Sequence, residues 1–164
     1  MKNIIKDHQW GYQITPKEVV DMVLEQTTNN KDYQRLVNKV YQASNFDFVG
    51  IALQEPYYPF LIKWRFVAGN QNERFRQITL HRGFGIAGLV FRTGKPFFSN
   101  DLAKYSYSNE MYTPIAVAES LWSAAAIPLS SKVGTIGGVL LAGFRSPTIV
   151  DSGTVDQLKN FAKQ

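Results

Sequence analysis

A chain of 164 residues, 45% of them hydrophobic and 19% charged, is long enough to bury one real core and too apolar to stay disordered. It has no cysteine and only two histidines, His8 and His81. That excludes disulfides, thiolate nucleophiles and Cys-based metal sites, and leaves a His-based metal site or a Ser-His pair almost nothing to draw on. The net charge of +5 is uneven: residues 61–104 hold eight Lys or Arg against two acids, a local +6, and the remainder sums to −1.

Such a field favours an anionic ligand or an acidic partner, unless it is simply a solvated basic face. No helix-turn-helix, zinc finger or aromatic RNA-binding signature accompanies it, so no nucleic-acid partner is expected. The longest apolar run, Ile136 to Phe144, is broken by Gly137, Gly138 and Gly143. It falls well short of the roughly 20 residues that span a bilayer, so no membrane partner is expected either. The start, Met1 to His8, is too polar for a signal peptide, which makes the cytoplasm the expected location.

Residues 1–14 lack periodicity and read as a loose N-terminal arm. Thr15-Pro-Lys-Glu18 is a capping box that opens a helix, with Val19, Val20, Val23 and Leu24 as its apolar stripe. Thr27-Thr-Asn-Asn30 is expected to end it. A second helix should then run from about Asp32 to Asn45 on Leu36, Val37, Val40 and Tyr41.

Phe46 to Gln54 reads as a strand, and Leu61 to Ala68 as another, with Ile62, Trp64 and Phe66 on one face. Arg74 to Leu80 is expected to be extended. Gly83-Phe-Gly85 leads into a short helix closed by Thr93-Gly94-Lys-Pro96, and Phe97 to Ser99 is a strand. Leu102 to Glu119, polar and tyrosine-rich, should be a long loop carrying a short helix, and its Tyr105, Tyr107 and Tyr112 could line or lid a ligand site or simply cover the sheet. Leu121 to Leu129 and Thr135 to Phe144 form a hairpin, and a last helix begins near Asp151 on Val155, Leu158 and Phe161.

This order fits an α+β fold. Five to six strands form a central antiparallel sheet, with the terminal helices on one face and a ligand pocket beneath the short helix and long loop on the other. Residues 1–31 would be an arm and extra helix, and 32–164 the domain proper.

Two stretches carry a family resemblance. Gly83-Phe-Gly-Ile-Ala-Gly-Leu-Val-Phe-Arg-Thr-Gly-Lys-Pro-Phe-Phe-Ser-Asn-Asp101 and Ala125-Ala-Ile-Pro-Leu129 followed by Ile136-Gly-Gly-Val-Leu-Leu-Ala-Gly143 together resemble the GAF domain family of small-molecule sensors. Within it, the chain is most similar to the free-standing nitrate-receptor branch, which works beside an oxygen-sensing histidine kinase and a response regulator in Firmicutes. Trp64 to Arg74, Leu80 to Gly88, Thr113-Pro-Ile115 and Leu140 to Gly143 carry that similarity. A tyrosine would be expected where Thr113 stands, and Tyr112 is its neighbour.

The resemblance implies a nitrate receptor that modulates a sensor histidine kinase controlling nitrate respiration genes. It implies no catalysis and no cofactor, and it leaves a homodimer open. Carried over by motif, the ligand-binding residues are Trp64, Leu80, Ile86, Ala87, Thr113, Pro114 and Ile115. The residues themselves point to the same place: Gly83 and Gly85 allow close backbone approach, and the first N–H groups of a helix starting near Ile86 would present the positive end of its dipole. Packing alone is the competing account of Gly85-Ile-Ala-Gly88, as it is for a tryptophan in a strand. Arg82 and Arg92 are candidate charge partners or merely solvated.

Other readings within the family differ in what they require. The Asn-Lys-Phe-Asp-Glu signature of cyclic-nucleotide GAF domains is absent. The sulfoxide reductase and phytochrome-type members need cysteines that this chain lacks. A haem site would have to use His81. A GAF module that only docks or dimerises without a ligand, or that senses a different small molecule, stays open.

Overall fold

The computed structural model describes residues 14–56, 58, 61–105, 113–131 and 133–163; Tyr107 and Tyr112 lie outside them. The chain divides into two compact units, Met1–Tyr33 and Gln34–Gln164. In the described part of the first, Thr15 Oγ1 accepts from the Glu18 N–H at 3.2 Å, and Glu18 Oε2 accepts from the Thr15 N–H at 2.7 Å. This is the reciprocal cap expected at that point. The stripe Val19, Val20, Val23 and Leu24 is exposed along the helix that follows.

That helix, α1, runs Pro16–Gln42 as one element, where two were expected. Thr27 to Asn30 are poor helix formers but include neither proline nor glycine, so they weaken the helix without stopping it.

The second unit is built on a six-stranded antiparallel sheet. In chain order the strands are β1 (Phe48–Gln54), β2 (Leu61–Ala68), β3 (Thr79–His81), β4 (Phe97–Ser99), β5 (Ser123–Ser130) and β6 (Ile136–Phe144). They lie in the order β3-β2-β1-β6-β5-β4. Arg74–Gln77 is a 3₁₀ turn rather than extended chain. Its Phe75 is buried in the core, and the strand is left only Thr79–His81.

Alternation along the strands divides the core. Phe48, Ala52, Ala124, Ala126, Val139 and Leu141 join one buried cluster, while Val49, Ile51, Ala125, Ile127, Leu140 and Ala142 are buried towards the other side. Helix α2 (Gly85–Thr93) packs on the first face, against β5, β6 and β3. Helix α4 (Ser152–Ala162) packs against β5 and β4, burying Val155 and Leu158. Val155 is therefore core.

A register shift between Ile51 and Ala52 sets Trp64 opposite Ala52 and Phe66 opposite Ile51. The extra residue in β2 passes the clustered face from Trp64 to Val67, which packs against that cluster. Strict alternation had placed Phe66 beside Trp64; the bulge moves it to the other side.

Candidate functional site

The expected site residues come from four elements. Trp64 is on β2, Leu80 on β3, Ile86 and Ala87 in the first turn of α2, and Thr113-Pro114-Ile115 at the start of the short helix α3 (Pro114–Ala118). Trp64, Leu80, Ile86, Ala87 and Ile115 belong to one buried cluster. Thr113 is buried and Pro114 half-buried.

Gly85 shows how close these elements come. A Cβ placed there would lie 3.1 and 3.2 Å from the two δ-methyls of Leu80 and 3.6 Å from Pro114 Cδ. The start of α2 thus sits between β3 and the start of α3. Gly85 has φ +66° and Gly83 φ +89°, a region that glycine occupies without strain. Gly88 serves packing instead: a Cβ there would meet the His81 carbonyl oxygen at 2.3 Å. The packing account of Gly85-Ile-Ala-Gly88 is therefore right for its last residue.

Among the described residues, no side chain caps the start of α2. Its N-cap is Phe84, which has no side-chain oxygen, and no side-chain cap bond forms. The first four N–H groups of a helix have no intrahelical acceptor, and they carry the positive end of its dipole.

Two buried polar atoms in the same group of residues, Trp64 Nε1 and Thr113 Oγ1, lack a hydrogen-bond partner among the described residues. Trp64 is 2% exposed. Its Cε3 edge lies 3.2 Å from where a Cβ on Gly50 of β1 would stand. The pyrrole edge with Nε1 is on the opposite side of the ring. An unmatched buried donor costs about 1–3 kcal/mol. Its retention in a core otherwise built of Phe, Ile, Leu, Val and Ala is a feature to be explained.

The arginines serve the other end of the helix. Arg82 donates from Nη2 to the Phe91 carbonyl at 3.5 Å. Arg92 stands in the last turn of α2 with Nη1 3.0 Å from a Cβ position on Gly83. Cations at a helix C-terminus meet the negative end of the dipole. Elsewhere in the basic segment, Arg65 pairs with Glu55, and Arg76 pairs with Glu73 at 2.7 Å and lies over the Phe75 ring. His81 is exposed on β3. Tyr105 ends a 3₁₀ turn, Leu102–Tyr105.

Sequence reasoning missed the polar network behind α3. Glu119 is fully buried and pairs with Arg145 at 2.7 Å. Those two residues are 26 positions apart, and neither lies in a recognisable motif, so no local signal could have joined them.

The arrangement puts the first turn of an uncapped short helix and an unpartnered indole into one buried cluster on one face of an antiparallel sheet. The chain belongs to the GAF domain family, whose profile matches residues 32–164. Among solved structures it is similar to an NreA protein from Staphylococcus aureus mutated in its nitrate binding site. The two are 35% identical with a TM-score of 0.65, over 76% of this chain and 94% of that one. It is equally similar to a hypothetical protein from S. aureus, at 35% identity and a TM-score of 0.65, over 71% of this chain and 95% of that one.

The free methionine-R-sulfoxide reductase of Neisseria meningitidis shares the fold, at 18% identity and a TM-score of 0.66, over 90% of this chain and 81% of that one. No curated protein matches the chain. Among the described residues, no helix is long and apolar enough to cross a membrane.

Proposed function

We propose that this chain is a nitrate receptor. Nitrate binds at the start of α2, accepting from the amides of Ile86 and Ala87 and from Trp64 Nε1, with Leu80 and Thr113-Pro114-Ile115 as the surrounding wall. The bound state modulates a sensor histidine kinase that controls nitrate respiration genes, in the cytoplasm and without turnover of the ligand. Residues 32–164 carry the receptor, and 1–31 are an accessory arm and helix.

The observation that supports this most is a buried, unpartnered indole N–H on a side chain that shares one buried cluster with Ile86 and Ala87 of an uncapped helix start. A planar, weakly hydrated anion suits neutral donors in an apolar wall, because less solvation is lost on burial than for phosphate. Two solved relatives at 35% and 33% identity are NreA proteins mutated in their nitrate binding site. The chain also lacks the cysteines that reductase members of the family use.

Affinity is bounded by size. Four heavy atoms at a ceiling of about 1.5 kcal/mol each give about 6 kcal/mol, a dissociation constant of roughly tens of micromolar. Calorimetric titration at constant ionic strength tests this. Saturable one-site binding of nitrate in that range, with phosphate inert, is the expected result. A flat nitrate titration of folded protein would sink the reading. For the partner, the test is autophosphorylation of the neighbouring kinase with this protein present, with and without nitrate; no change in either case would overturn the signalling role.

A further inference from the structure

Glu119 is a wholly buried carboxylate, and the bonds around it converge on the end of α3. Arg145 donates from Nη2 to Glu119 Oε2 at 2.7 Å, from Nε to the Glu119 carbonyl at 2.8 Å, from Nη1 to the Asp47 carbonyl at 3.1 Å and from Nη2 to the Gly69 carbonyl at 3.0 Å. Its backbone N–H donates to Asp47 Oδ2 at 2.8 Å. From another direction the Gln71 N–H donates to Glu119 Oε2 at 2.9 Å, and Asn72 Nδ2 to the Ala118 carbonyl at 2.7 Å. Gln71 Nε2 reaches the Ala118 carbonyl at 3.3 Å and Ser120 Oγ at 2.9 Å. Ser120, held here, has φ +54°, a left-handed conformation rare for a residue with a side chain.

A five-residue helix is a single turn and too short to be stable by itself, so whatever grips its ends sets its position. The grip at Ala118-Glu119-Ser120 reaches the other end through that turn. The Ala116 and Val117 N–H groups donate to the Thr113 carbonyl at 3.0 and 3.2 Å, and the Glu119 N–H to the Ile115 carbonyl at 3.0 Å. Thr113-Pro114-Ile115 is the wall facing the start of α2. A buried ion pair is often no more stabilising than well-packed apolar residues. What an arginine fork supplies here is fixed geometry.

We infer that the Glu119–Arg145 pair is a positioning device for the anion site. By fixing the C-terminal end of α3, it holds Thr113 to Ile115 at the spacing from α2 that the ligand needs. The inference rests on the nitrate reading above, and its test separates the two.

Glu119→Gln keeps the shape and removes the charge. Gln71→Ala is the milder variant: it leaves the ion pair and deletes the side-chain bonds to Ala118 and Ser120. Each is compared with wild type by circular dichroism, thermal midpoint and nitrate calorimetry well below that midpoint, and by amide exchange at residues 115–117 without nitrate. With Glu119→Gln the nitrate dissociation constant is expected to rise about tenfold, and less with Gln71→Ala. Combined with Ile115→Ala, the effect of Glu119→Gln should be smaller than alone, because both act on one wall.

A merely structural pair would lower the midpoint and leave the constant of the folded protein unchanged, which would overturn the inference. So would unaltered exchange at 115–117. If Glu119→Gln does not fold, Gln71→Ala decides by the same two readouts. If wild type binds no nitrate, the receptor reading falls. Exchange that accelerates at 115–117 but not in α4 would then still establish the clamp, and unchanged exchange would remove it.

Discussion

Two helices of the GAF unit begin in opposite ways. At α4, Asp151 Oδ1 accepts from the Thr154 N–H at 3.2 Å, and Thr154 Oγ1 accepts from the Asp151 N–H at 3.1 Å. The helix closes its own orphan donors. At α2 the equivalent position is Phe84, already in the extended conformation of an N-cap (φ −112°, ψ 136°) but with no oxygen to offer. An N-cap side chain contributes about 1 kcal/mol. One helix takes that stabilisation from its own sequence, and the other has no side-chain cap. On the nitrate reading proposed above, the ligand would take the amides that such a cap would occupy.

The sharpest way to break this contrast is to give α2 the cap that α4 has. Phe84 is 57% exposed, so Phe84→Asp removes little packing and places a carboxylate on the first amides. The fold should gain about 1 kcal/mol from the new cap. Nitrate affinity should fall at least about a hundredfold, since the carboxylate takes the same donors and repels the anion. Thermal melting and calorimetry on the same sample read both signs. A variant that is more stable and still binds nitrate like wild type would show that the ligand, if any, lies elsewhere.

Next in size is the indole donor. Trp64→Phe keeps an aromatic ring in the core and deletes Nε1. Binding should weaken by about 1.5–3 kcal/mol, the value of one hydrogen bond to a charged acceptor. Leu80→Ala, which removes wall and no donor, serves as the comparison. If Trp64→Phe costs no affinity, the unpartnered Nε1 has another explanation.

The asymmetry between the two helices also tracks what could be read from the residues. The fold's order was legible because strands such as Leu61–Ala68 alternate and helices carry their caps in the sequence. Thr15 with Glu18, and Gly94 in the left-handed region with its N–H on the Val90 carbonyl at 2.8 Å, are local signals. The start of α2 was legible through Gly83 and Gly85, whose positive φ is a backbone demand. Three features were not. A bulge in β2 depends on pairing with β1 and shows only in the register at Ile51 and Ala52. Thr27 to Asn30 reads as a stop by propensity alone, but with neither proline nor glycine it weakens the helix without ending it. Glu119 with Arg145 joins residues that no periodicity relates, and Glu119 looks like an ordinary surface acid until its burial is known.

On the capped side the expected effect is smaller and confined to stability. Asp151→Ala at α4 should cost about 1 kcal/mol of folding free energy and leave nitrate affinity unchanged. A chemical denaturation curve measures the first, and calorimetry the second. Coupling between this cap and the ligand would mean that the two helix starts are not independent.

The smallest effect is expected where charge alone would have placed the largest. Arg92 is a cation on the helix proposed to bind an anion, in a segment carrying +6. Yet it stands in the last turn of α2, against Gly83 and exposed. Its charge is exposed to water, where salt screens it over roughly 8–10 Å. An exposed, solvated guanidinium attracts the anion weakly. Arg92→Ala should therefore change nitrate affinity by no more than about 0.5 kcal/mol at physiological salt, with a slight loss of stability from the helix end. Titrations at low and high salt decide the matter. A tenfold loss of affinity that disappears in high salt would mean that the basic field, rather than the uncapped amides and the indole, holds the anion.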